Sequence, residues 1–138
     1  ENAEFVRYGV MHKNTYMNSP QLLNNKFNLN ADKRFYFAGQ MTGVEGYVES
    51  AASGLMAGLH AAREALGLEA VEFPAETAHG ALANYISNPA VKEFQPMNIN
   101  FGLIPPLTQR IRKKREKNAM IAARALEVLD AVKGKCEL

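Results

Sequence analysis

The stretch from Arg34 to Ala65 constrains this chain more than any other. A short run dense in aromatics, Arg34-Phe35-Tyr36-Phe37-Ala38, is followed by glycines at 39, 43 and 46 and then by an Ala/Gly-rich run. The aromatic run reads as a buried strand. The glycines permit tight turns and let bare backbone approach a neighbour. From about Val48 the pattern is helical. Ala51, Gly54, Gly58 and Ala61 form a stripe of small residues, with Leu55, Leu59, Ala62 and Leu66 as an apolar stripe beside it. Strand, glycine turn and helix together aim backbone N–H groups and a positive helix end at an anionic or electron-rich ligand. The small stripe implies that a backbone or a flat ligand packs closely there. The spacing is not the dinucleotide G-x-G-x-x-G pattern, so a ligand turn and a purely geometric βα turn both remain open.

Size and composition bound the rest. A length of 138 residues with 47% hydrophobic content fits one modest globular domain. No apolar run approaches the roughly 18 residues of a membrane span, and no leader is visible after Glu1. The single cysteine, Cys136, excludes an internal disulfide and fits a reducing compartment, so a soluble cytoplasmic protein is expected. Its charged tail reads as exposed, and no catalytic role is assigned to it. Histidines at 12, 60 and 79 have no ligand spacing, and no metal site is expected. His12 reads as structural or as a group beside a ligand.

The net charge of +2 is unevenly spread: from Arg110 onward nine Lys/Arg face four Asp/Glu, and before it seven face ten. Six of the eight residues from 110 to 117 are basic: Arg110, Arg112, Lys113, Lys114, Arg115 and Lys117. Such density suits phosphate contacts, and equally a solvated surface.

Along the chain, Glu4–Val10 reads as a strand, Asn18-Ser19-Pro20 as a turn, and Gln21-Leu22-Leu23 as a short strand or helical turn. Thr77 to Ile86 reads as a helix stopped by Ser87-Asn88-Pro89. Phe94–Leu107 holds too many prolines for a helix or central strand and is expected to pack along a surface. A long helix in two parts is expected from about Thr108 to Val132. Its later half has Ile121, Ala125, Val128, Leu129 and Val132 on the core side.

The run Ala38-Gly39-Gln40-Met41-Thr42-Gly43-Val44-Glu45-Gly46-Tyr47-Val48-Glu49-Ser50 resembles the C-terminal flavin-binding segment of bacterial tRNA-modifying flavoproteins. Two branches share an Ala-Gly-Gln-x-x-Gly-x-x-Gly-Tyr core: the folate- and FAD-dependent tRNA uracil-5-methyltransferases (TrmFO, or Gid) and the GidA/MnmG-type wobble-uridine enzymes. Val44-Glu45, Val48-Glu49-Ser50 and the run Phe94-Gln95-Pro96-Met97-Asn98-Ile99-Asn100-Phe101-Gly102-Leu103 resemble the first branch. The resemblance implies an α/β fold: residues 1–70 as the C-terminal portion of a Rossmann-like FAD-binding domain, and residues 71–138 as a helical extension with a proline-rich connector and a basic helix. It implies flavin contact at Gly39, Gln40, Met41, Thr42, Gly43, Gly46, Tyr47 and Glu49. It also implies tRNA contact at Arg110, Arg112, Lys113, Lys114, Arg115 and Lys117.

In the resembling family the parent enzyme moves a one-carbon unit from 5,10-methylenetetrahydrofolate to C5 of a T-loop uridine, with reduced FAD and NAD(P)H supplying electrons. The cysteines associated with that chemistry match nothing here, so no catalytic residue is named. The family's G-x-G-x-x-G turn for the FAD pyrophosphate is absent, so the chain reads as a C-terminal fragment. On its own it is expected to be inactive, to lack cofactor, to need the missing N-terminal part as partner, and to be open to self-association. The alternatives are a wobble-uridine flavoprotein, a non-enzymatic RNA-binding module resting on the basic helix, and a purely structural helical domain.

Overall fold

The computed structural model describes residue 4 and residues 15–134. Its helices are α1 (Ser19–Leu22), α2 (Tyr47–Ala65), α3 (Ala78–Ile86) and α4 (Lys114–Lys133), with a 3₁₀ turn at Gly39–Thr42. Among the described residues there is no β-strand, only three isolated bridges, so the expected α/β class is corrected to a helical one. The strand expected at Glu4–Val10, Glu4 apart, lies outside the described residues, as do His12 and Cys136.

The Arg34–Ala38 run shows why no sheet forms. It is extended and pairs on one edge, with Leu29 N–H donating to Phe35 O at 3.0 Å and Phe37 N–H donating to Phe27 O at 2.9 Å. The partner segment turns on itself: Phe27, a bulky residue at φ 67°, ends the ladder after one bridge, Asn28 to Tyr36. Such a conformation costs of order 1–3 kcal/mol and persists only where its surroundings fix it. Here they do, since Phe27 is fully buried and its own N–H donates to Asn24 O. Phe35 is 53% exposed, so the aromatic run is not the buried strand its composition suggests.

Helix α2 starts at Tyr47, one residue before the expected change of pattern, and buries Ser53, Met56, Ala57 and His60. Neither stripe read from the sequence is the core face. Leu55 and Leu66 are largely exposed, and a β-carbon at Gly54 or Gly58 would meet nothing among the described residues. The large or polar side chains at 53, 56 and 60 reach the core at i, i+3, i+7 spacing, and that row outcompetes the leucines.

Helix α3 follows the sequence closely. Thr77 caps it, accepting from Gly80 N–H at 3.0 Å, and Ser87 ends it. Gly80 is obligatory, because a β-carbon there would collide with the backbone oxygens of Phe73 and Pro74. The main core joins Phe27, Val44, Met56, Ala57, Leu82, Ala83, Ile86 and Phe94, drawing on residues from both sides of position 70. Helix α1 replaces the turn expected over 18–20. Pro20 sits in its first turn, where a missing N–H costs little.

The proline-rich connector is irregular, as expected, and sinks Phe94 and Ile104 into the core. Helix α4 begins at Lys114 instead of about Thr108, because Pro105, Pro106 and the turn after them leave residues 108–113 non-helical. Ile121 and Val132 are its buried positions, and Arg124 fastens it by donating to the carbonyls of Pro105 and Pro106.

His60 is buried, its Nδ1 has no partner among the described residues, and Phe73 lies edge-on at 6.1 Å. Burial, with help from Lys26, lowers its pKa below the ordinary 6.5, and burial alone lowers that of His79. The unfolded chain therefore binds more protons than the folded one as pH falls below 6.5. Stability is full above that pH and declines beneath it. Melting temperature measured from pH 7.5 to 5 is expected to fall, and the His60→Leu variant is expected to show a shallower fall. An identical pH slope in both would sink the assignment.

Candidate functional site: the glycine turn and the open end of a helix

The turn is built by its backbone. Ala38 is extended, Gly39 has φ 71°, residues 39–42 wind one 3₁₀ turn, and Gly43 closes it in the left-handed region at φ 86°. Both glycines occupy conformations that a β-carbon disfavours. Gly46, at φ −72°, is the N-cap of α2.

The turn lies against the first turns of α2 through two serines. Gly39 N–H donates to Ser53 Oγ at 2.8 Å, Ser53 Oγ donates to Ser50 O at 2.8 Å, and Ser50 Oγ donates to Val44 O at 3.2 Å. Thr42, fully buried, donates its hydroxyl to Gly39 O at 2.8 Å. The Thr42 side chain is therefore used inside the turn.

The start of α2 has no side-chain hydrogen-bond cap among the described residues, although the Glu49 carboxylate of its first turn lies back against Gly46. The first helical bond is donated by Ser50 to Gly46 O at 2.8 Å. The N–H groups of Tyr47, Val48 and Glu49 have no acceptor among the described residues. Tyr47 is 88% and Val48 80% exposed, and Met41 and Gln40 are exposed beside them. Beneath Val48 and Glu49 an apolar cleft of about 400 Å³ runs to Ala78, His79, Leu82 and Ile99. The arrangement offers three backbone donors at a positive helix end, next to a glycine turn and an apolar wall. It suits a planar, electron-rich group with a hydrogen-bonding edge.

At two of these glycines protein atoms close in on the α-carbon. A β-carbon on Gly43 would lie 2.7 Å from Phe94 Cε1, and nearer still to Cζ, so that side of the glycine is filled by protein. One on Gly46 would meet the Glu49 carboxylate, which itself accepts from Ile99 N–H at 3.3 Å.

The basic residues lie elsewhere, split between two conformations. Arg110, Arg112 and Lys113 are in the non-helical lead-in, and Lys114, Arg115 and Lys117 are in the first turn of α4. All six are exposed and none forms an ion pair among the described residues. Three cations at the positive end of a helix oppose its dipole, and the one acid there, Glu116, offsets only part of that charge.

The model for the family Glucose inhibited division protein A matches residues 1–69. The chain belongs to this family. At closer range it matches TrmFO proteins over nearly its whole length, in line with the resemblance carried by the glycine turn and the proline-rich run. It is 61% identical over 128 residues to the methylenetetrahydrofolate–tRNA-(uracil-5-)-methyltransferase TrmFO of Enterococcus faecalis, covering 93% of this chain and 29% of that protein. It is 59% identical over 133 residues to the protein of the same name from Lactiplantibacillus plantarum, covering 96% of this chain and 30% of that one. The Lactobacillus johnsonii relative is 54% identical over 138 residues, covering 100% of this chain and 32% of the relative. The chain thus spans about 30% of the length of these curated relatives.

For this family segment the sequence pointed to the turn but missed what holds it: Ser50, Ser53, Phe94 and Met97. Ser53 carried a signal, a small polar side chain in helical register with Met56 and His60. Phe94 and Met97 carried none, because their role depends on a contact made from beyond α3. No group of three metal-ligating side chains occurs among the described residues. No described helix is long and apolar enough to cross a membrane.

Ser53→Ala is expected to strand the Gly39 N–H and to cost about 1–3 kcal/mol in urea unfolding. Ser50→Ala, which removes the longer bond to Val44, is expected to cost less. Equal, negligible losses would show that the serines do not hold the turn.

Proposed function

We propose that the chain is the flavin-edge and RNA-contacting portion of a cytoplasmic tRNA methyltransferase that passes a one-carbon unit from 5,10-methylenetetrahydrofolate to C5 of a T-loop uridine. The observation that carries this reading is the uncapped start of α2, with three N–H groups unpartnered among the described residues and set against a positive-φ glycine turn. Similarity to TrmFO proteins over nearly the whole chain supports it. When bound, FAD, reloaded by NAD(P)H, would supply the reducing equivalents for that transfer.

The chain's own residues fit one edge of such a group. Gly39 and Gln40 bring backbone and an amide to the rim, and Met41 and Tyr47 offer exposed apolar surface. The N–H groups of Tyr47, Val48 and Glu49 favour negative charge placed before them. Thr42, Gly43 and Gly46 shape the turn, and Glu49 anchors the helix start. Arg110, Arg112, Lys113, Lys114, Arg115 and Lys117 would take tRNA phosphates, which also explains cations set against a helix dipole. In this reading the glycine turn and the start of α2 serve the cofactor, and the basic segment 110–117 the RNA.

The test is a chimaera in which this chain replaces the matching third of the Enterococcus faecalis relative. It is expected to retain FAD and to methylate a T-loop uridine. Gly39→Ala is expected to lower FAD occupancy while tRNA binding holds. Replacing Arg112, Lys113 and Arg115 by Ala is expected to weaken tRNA binding and to flatten its salt slope by roughly 0.7–0.9 for each phosphate no longer neutralised. A folded chimaera without FAD would end the flavin reading, and an unchanged salt slope would end the RNA one.

A further inference from the structure

We propose that Phe94, carried by the proline-rich connector, is the positioning residue that sets the shape of the glycine turn and, through it, of the cofactor site. The proposal rests on the flavin reading for its functional half; its geometric half stands by itself. Gly43 closes the turn at φ 86°, and the ring of Phe94 occupies the space where a side chain would begin. Glycine pays the largest entropic cost on ordering, so a left-handed glycine without a wall would wander. The ring is that wall.

The same strip of connector grips the turn at two further points. Met97 N–H donates to Gly43 O at 2.9 Å, and Glu45 N–H donates to Met97 O at 3.2 Å, so Val44 is held from both flanks. Two residues on, Ile99 N–H donates to the Glu49 carboxylate in the first turn of α2. One extended strip, 94–99, therefore touches the end of the turn, its exit and the helix start.

The brace is itself fixed. Tyr85 of α3 packs on Phe94 at 5.6 Å and donates its hydroxyl to Gln95 O at 2.8 Å, while Tyr16 meets the ring edge-on at 6.0 Å. In the flavin reading Phe94 stands behind the turn, its ring against Gly43. It acts through Gly43.

A double-mutant cycle tests this. Phe94→Leu, Gly43→Ala and the double variant are made in the 138-residue chain, where melting temperature is read. They are also made in the chimaera, where FAD affinity and the visible circular dichroism of bound FAD are read. Phe94→Leu is expected to weaken FAD binding by about tenfold and to alter the dichroism, as loss of a packed ring beside the turn would. Gly43→Ala is expected to cost less in the Phe94→Leu background than in the parent, in both melting temperature and FAD affinity. Additive effects, with Gly43→Ala alone still releasing FAD, would overturn the brace and leave the flavin reading standing. Coupled melting temperatures with FAD affinity unmoved by every variant would overturn the flavin reading, and the positioning role with it. If Phe94→Leu does not fold, Phe94→Met, nearer in volume, takes its place in the same cycle.

Discussion

A phenylalanine ring stands where the side chain of residue 43 would begin, and most of the fold can be traced from that contact. The ring fixes a left-handed glycine, and the glycine closes the turn. The turn sets Val44 into the core and starts α2 with its N–H groups uncovered. Because the ring arrives from beyond α3, the connector and α3 cannot separate from the turn without opening the main core. The parts that read as two modules in the sequence are one packing problem.

The serine relay does complementary work on the other side. Gly39 N–H, Ser53 Oγ and Ser50 O form a chain in which each polar group is satisfied at 2.8 Å between turn and helix. Backbone that turns this tightly exposes N–H groups on its inner side. Ser53 Oγ accepts one of them, from Gly39, and Ser50 Oγ donates to Val44 O, without taking the room that a larger amide or carboxylate would need.

What the sequence revealed was local, and what it hid was not. Thr77, the Ser87-Asn88-Pro89 stop and the prolines of the connector act on the few residues around them, and each appears where the chemistry of caps and breakers puts it. The glycine turn was legible for the same reason. The aromatic run at 34–38 was not, because whether an extended segment becomes a strand depends on its partner, and Phe27 denies it one. The apolar stripe of α2 misled because periodicity identifies faces without saying which one meets the core; Ser53, Met56 and His60 won over Leu55 and Leu66. Among the site residues, the Thr42 hydroxyl is engaged inside the turn and one side of Gly43 is covered by protein. The reason for each, a backbone oxygen and a distant ring, is absent from local spacing.

The outer surface of α2 has a bearing on handling as much as on architecture. Tyr47, Val48 and Leu55 stand in solvent along α2, with Leu66 just past its end, interspersed with alanine and glycine. Water gains when two such surfaces meet, and solutes excluded from protein surfaces strengthen that tendency. An apolar surface laid along the helix would take that stripe out of water.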